Sequence, residues 1–128
     1  MKILDPGHTY EVDIYDEPGF TSPNVITFMK REGENYPGNK DSYPGTNCQE
    51  LIRVLIDRLK YLNNQIPCPE NKDALQYLRQ ALLSFEIRAA KRHQLFKGGN
   101  WMSMQIIETL PVCHICGHII DLACKGHQ

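Results

Sequence analysis

The sequence lacks a long apolar run. No segment approaches the roughly 20 residues of a membrane span, and the opening MKILDPGH has no signal-peptide core. No membrane association is expected, and the chain should stay in the cytoplasm where it is made. It also lacks an excess of either charge. With 14 basic and 15 acidic residues the net charge is -1, too little for bulk attraction to a polyanion, so neither DNA nor RNA is expected as a partner. It lacks an even set of cysteines: the five, Cys48, Cys68, Cys113, Cys116 and Cys124, cluster late. In a reducing compartment that pattern points to thiols or a metal before disulfides. Catalytic motifs are missing too. No serine or cysteine stands in a recognisable nucleophile motif, no paired carboxylates suggest general acid–base work, and no Walker spacing is present. An enzyme is not expected.

What is present is an ordinary globular composition, 41% apolar and 23% charged over 128 residues, enough for one core that buries about two thirds of the unfolded surface. The first third has strand grammar. A short KIL strand is followed by the turn Asp5-Pro6-Gly7-His8. In YEVDIY, residues 10–15, Val12 and Ile14 alternate with acids, DEPG is a turn, and VITFMKR, residues 25–31, is rich in β-branched and aromatic residues. Next comes a loop in which Tyr-Pro-Gly occurs twice, at residues 36–38 and 43–45.

Thr46 and Gln49 have capping-box spacing, and Leu51, Ile52, Leu55, Leu59 and Leu62 recur at helical intervals up to the break Ile66-Pro67-Cys68-Pro69, which predicts a helix over 47–64. Asn71 suits an amino-terminal cap, and Leu75, Leu78, Leu82, Phe85 and Ala89 form one stripe, which predicts a second helix over 72–96. The short connection favours an antiparallel pair. The expected class is α+β: a small N-terminal antiparallel β-sheet, an antiparallel pair of long α-helices, and a short Cys/His tail. Residues 1–110 are expected to form one domain and 111–128 the tail; 101–110 reads equally as strand or short helix.

Four groups of residues could carry function. The loop leads into a helix N-terminus, where Thr46 and Asn47 could hold a phosphate and Tyr36 or Tyr43 could face a base, or the two Tyr-Pro-Gly copies could simply make tight turns. Arg88 and Arg92, four residues apart, share one side of the second helix; they could clamp a pyrophosphate or lie along the edge of the core. Tyr61, seven residues after Val54, forms a ridge away from the leucine stripe that fits a subunit interface, a sheet contact or a stacking platform. In the tail, Cys113-x2-Cys116 and Cys124-x2-His127 supply four ligands for a zinc knuckle, with Gly117 placed for its tight turn; the alternative is a reduced, loosely ordered tail. His8 and His93 read as structural.

MKILDPGHTYEV, then ITFMKREGENYPGNKDSYPGTNCQELIRVLIDRLKYLNNQIPCPEN, then FEIRAAKRH together resemble, over residues 1–93, a group of small phage proteins, the first Thoeris anti-defence family. The resemblance implies a cytosolic sponge in the infected host. Such a protein binds glycocyclic ADP-ribose isomers without degrading them and so keeps the NAD-consuming Thoeris effector off. Some members also hold cyclic di- or trinucleotides at separate sites and blunt CBASS immunity. It further implies dimers or larger homo-oligomers with pockets between chains, each using an aromatic residue, an asparagine and an arginine pair one helical turn apart.

Carried over, these are Tyr61, Asn71, Arg88 and Arg92. Tyrosine stands where the family has phenylalanine, which keeps the stacking face and adds a hydroxyl. Arg31, Tyr43 and Thr46 are added as ligand-binding candidates from the loop. The tail lies outside the resemblance, and zinc at Cys113, Cys116, Cys124 and His127 rests on spacing alone. The reading from another class is a small zinc-stabilised adaptor that engages a host protein through this tail.

Overall fold

The computed structural model describes residues 1–16, 19, 24–31, 42–93, 111–120 and 124. The chain falls into two compact units, Met1–Asn47 and Cys48–Gln128. The sequence drew a boundary at residue 110; compactness draws one at Asn47 and groups the tail with the helices.

In the first unit, β1 (Lys2–Asp5), β2 (Thr9–Val12) and β3 (Asn24–Thr27) form an antiparallel sheet in that order. Pro6-Gly7 makes the tight connection, closed by the His8 N–H donating to the Asp5 carbonyl at 3.0 Å. Ile3 pairs with Tyr10, and Tyr10 with Ile26. The run expected as one strand over 25–31 is divided. β3 stops at Thr27, Phe28 pairs in parallel with Thr46, and β4 (Lys30–Arg31) pairs with β5 (Ser42–Tyr43) in a second, two-stranded sheet. The cause is the second Tyr-Pro-Gly. A Cβ on Gly45 would lie 2.4 Å from the carbonyl carbon of Phe28 and 2.6 Å from the oxygen of Thr27, so only glycine lets this segment lie against the strand. The approach is then fixed by the Thr46 N–H donating to the Thr27 carbonyl and the Met29 N–H donating to the Thr46 carbonyl, both at 2.8 Å. Edge-to-face packing of Tyr10 on Phe28 accompanies it. The first Tyr-Pro-Gly, at 36–38, lies outside the described residues, as does 101–110.

In the second unit, α1 (Cys48–Gln65) and α2 (Pro69–His93) pack as a pair. Their core is Ile52, Ile56, Leu75 and Leu82, with Leu59, Leu78, Ala81 and Phe85 against it. The α2 stripe is the expected one. That of α1 is rotated: Ile56 is 2% exposed and Leu55 is 49% exposed. Spacing alone admits both, but Gln49 and Arg53 face the tail on one flank, which centres the buried stripe on Ile52, Ile56 and Leu59 and turns Leu55 outward. α2 starts at Pro69 rather than at 72. Proline has no N–H to leave unsatisfied in the first turn, and the Lys72 N–H reaches the Cys68 carbonyl at 3.4 Å. Asn71 is therefore inside the first turn and does not cap it; its Nδ2 lies 3.5 Å from the Ile66 carbonyl.

The tail residues 111–120 form a tight hairpin: Val112 pairs antiparallel with Ile119, and the Ile120 N–H donates to the Pro111 carbonyl at 2.9 Å. Among the described residues no helix is long and apolar enough to cross a membrane.

Candidate functional site

The hairpin turns at Cys113-His114-Ile115-Cys116-Gly117. The Gly117 N–H donates to the Cys113 carbonyl at 2.8 Å, the Cys113 N–H donates to the His118 carbonyl at 2.9 Å, and Gly117 adopts φ 74°, a left-handed conformation that glycine reaches without steric cost. This turn brings the Cys113 and Cys116 sulfurs together, and Cys124 returns beside them: the three sulfurs lie within 4.8 Å of one another. Zinc–sulfur bonds of about 2.3 Å in a tetrahedral site set sulfurs about 3.8 Å apart, so an ion could be held with a small contraction. Cys113 and Cys124 are buried, and all three are reduced cysteines. The backbone N–H of Cys116 holds the Cys113 thiol below its usual value, whereas burial pushes the Cys116 thiol up to about 12. The surroundings of the two neighbouring thiols thus push them in opposite directions. His127, expected as the fourth ligand, lies outside the described residues. Cys48 is exposed and, like Cys68, stands apart from the cluster.

The hairpin is anchored to the helices by a buried polar network. Glu86 on α2 is 0% exposed. Its Oε1 accepts from Arg53 at 3.1 Å, its Oε2 accepts from the Ile119 backbone N–H at 3.3 Å, and His118 Nδ1 stands 3.7 Å from Oε2. Arg53, 12% exposed, also donates to the Gly117 carbonyl at 3.1 Å and to Glu50 at 3.3 Å, while its Nε is buried without a hydrogen-bond partner. The buried Gln49 donates to His118 Nδ1 at 3.0 Å, which replaces the capping-box role expected of it. The described part of the tail is thus an ordered piece of the second unit. Sequence reasoning missed Glu86, Arg53, Gln49 and His118 as a group. The signal was there: Glu86 falls on the Leu75/Leu82/Ala89 stripe, and a carboxylate on an apolar stripe requires a cation and further donors.

The other candidates are dispersed. Arg88 and Arg92 are exposed near the end of α2, Arg88 with its guanidinium 4.8 Å from the centre of the Phe85 ring. Tyr61 is exposed near the end of α1; the Arg58 guanidinium lies 5.4 Å from its ring centre and Gln65 donates to its hydroxyl at 3.0 Å. Asn71 is close to Tyr61 in the chain, across the short connection. From Asn71 to Arg88 the helix rises about 26 Å at about 1.5 Å per residue, so within one chain the aromatic–asparagine end and the arginine end do not meet.

Arg31, Tyr43 and Thr46 belong to the first unit. Arg31 pairs through its backbone with Ser42, Tyr43 is exposed with its ring tilted against His8 at 6.0 Å, and Thr46 is committed through its backbone to Thr27 and Met29. Tyr43 and Thr46 stand on either side of Pro44-Gly45 in the chain, and Tyr36, the other tyrosine expected to face a base, lies outside the described residues. His8 Nδ1 bonds Asp5 Oδ2 at 3.0 Å, Lys30 donates to the same oxygen at 3.3 Å, and His8 Nε2 is buried without a hydrogen-bond partner. These two partners, His8 first, hold the Asp5 carboxyl below its ordinary value.

The chain is thus a small α+β protein with a three-thiol knuckle locked onto a helical hairpin. No family model matches it, and neither a curated protein nor a solved structure does.

Proposed function

We propose that this protein sequesters cyclic ADP-ribose-type immune signals in the cytosol of a phage-infected host, binding them intact between copies of itself. Cyclic di- or trinucleotides are further candidate ligands, and Thoeris and CBASS immunity the systems it would blunt. The observation that carries this reading is the separation on the helical hairpin. Two exposed guanidiniums one turn apart, Arg88 and Arg92, lie at one end, and an exposed aromatic with an asparagine, Tyr61 and Asn71, at the other. Each half is chemically incomplete for a ligand that offers both a pyrophosphate and a purine. Two copies in opposed orientation bring one chain's arginines to the other's tyrosine. Arg58 lies over the Tyr61 ring, so a base would stack on the opposite face or displace it.

Zinc at Cys113, Cys116 and Cys124, with His127 as the fourth ligand, belongs to the same reading as a structural ion. The competing reading, an adaptor for a host protein, draws on the same cluster, since the knuckle leaves Ile115 48% exposed at its tip.

Native mass spectrometry of the full chain mixed with a panel of cyclic nucleotides tests both. The expected result is an even number of chains carrying intact nucleotide, recovered unchanged after heating, with binding lost in the Arg88→Ala, Arg92→Ala double variant at unchanged fold. A hydrolysed nucleotide would make the protein an enzyme; no retained nucleotide, together with capture of a host protein that depends on Ile115, would favour the adaptor.

A further inference from the structure

The buried pair Arg53–Glu86 is bonded from two sides. One side is the helices themselves, through Arg53 on Glu86 at 3.1 Å. The other is the hairpin: the Ile119 N–H donates to Glu86 at 3.3 Å and the Gly117 carbonyl accepts from Arg53 at 3.1 Å. Both hairpin groups follow Cys116 directly, within three residues. A carboxylate with no exposure is tolerated only with its bonds in place, so helix order at this point depends on where residues 117–119 are held. A ten-residue hairpin has little core of its own to hold them, whereas an ion bound by Cys113, Cys116 and Cys124 would fix the turn from the other side. Glu86 stands in the same two turns of α2 as Arg88 and Arg92, with Ala89 and Ala90 buried between.

We infer that Glu86 and Arg53 form a polar latch by which a soft divalent cation at the three thiols orders the arginine-bearing end of α2. Metal occupancy then controls the presentation of Arg88 and Arg92. This rests on the reading of the thiols as a metal site, and Glu86 is a positioning residue in it. Zinc removal frees the hairpin, withdraws the Ile119 and Gly117 contacts, and leaves the Arg53–Glu86 pair open to water, so that the last turns of α2 fray.

The test is amide hydrogen exchange on the full-length reduced protein, stripped with a chelator and then titrated with zinc while bound metal is counted by native mass spectrometry. One zinc per chain is expected, with exchange slowed at least about tenfold at residues 85–92 and at the Ile119 amide, and little change at residues 60–72 at the far end of the hairpin. In Glu86→Gln the same stoichiometry is expected, but without the added protection at 85–92. Zinc bound without protection at 85–92, equal protection throughout the unit, or protection that persists in Glu86→Gln would overturn the latch and leave the metal site standing. No bound zinc would overturn both. Should Glu86→Gln fail to fold, the wild-type comparison of 85–92 with 60–72 still decides.

Discussion

The two units hold their chains in place by opposite means. In residues 1–47 none of the described side chains is fully buried, and Ile3 and Val25 remain exposed. Order comes from strand pairing, from a close backbone approach at Gly45, and from partly or fully exposed charge contacts such as Lys30–Asp5 and the terminal ammonium on Asp13. In residues 48–128 an apolar core is paired with a carboxylate that has no exposure at all. Charge is therefore a minor contributor in the first unit and a decisive one in the second. The same residue types differ because water screens an exposed pair, whereas a buried one must be completed by the protein.

Three substitutions sharpen the contrast. The largest effect is expected for Glu86→Ala, which takes from Arg53 its buried carboxylate and leaves the Ile119 N–H without its acceptor; a loss of about 3–5 kcal/mol should appear in urea unfolding of the metal-loaded protein. A loss no larger than that of an exposed acid would mean that the network is not sealed from water. Next is Gly45→Ala. Its new methyl meets backbone rather than a flexible side chain, so about 1–3 kcal/mol is expected, read as loss of protection at the Met29 and Thr46 amides. The smallest is Asp5→Asn. Because the Asp5 carboxyl is held below its ordinary 3.8, its contribution is present above that pH and fades as pH falls through the lowered value. Wild type and variant should therefore differ slightly at neutral pH and converge in acid unfolding curves.

The arginine pair offers a separate check on the proposed ligand. Arg88 rests on the Phe85 ring, as one of the two alternatives for this pair anticipated, yet both guanidiniums remain exposed, so their removal should cost binding and not folding.

Much of the fold was legible because it depends on local periodicity. The expected α2 stripe is turned inward, with Glu86 and Ala90 buried alongside it, and both helices and the N-terminal hairpin stand near their expected places. What was not legible came from groups distant in sequence. The run over 25–31 looked like one strand because nothing local shows that Gly45 will press on Phe28. The cap assigned to Asn71 failed because Pro69 could open the helix two residues earlier. Leu55 and Ile56 were indistinguishable by spacing, and the hairpin that decides between them lies more than fifty residues on. Of the candidate site, the cysteines were visible from their spacing and three of them do converge; the polar anchor beneath them was not, because Glu86 on the apolar stripe signals only that partners are needed, and Arg53 and His118 lie 33 and 32 residues from it.

By itself the sequence determined that there would be a sheet, two amphipathic helices and a cysteine turn, since alternation, helical spacing and Cys-x2-Cys-Gly act over a few residues. Only the tertiary structure decided that the turn would be fastened to the helices. The reason is physical: whether a charge can be buried depends on what surrounds it in space. The two groups that bond Glu86, Arg53 and the Ile119 amide, each lie 33 residues from it, one on either side.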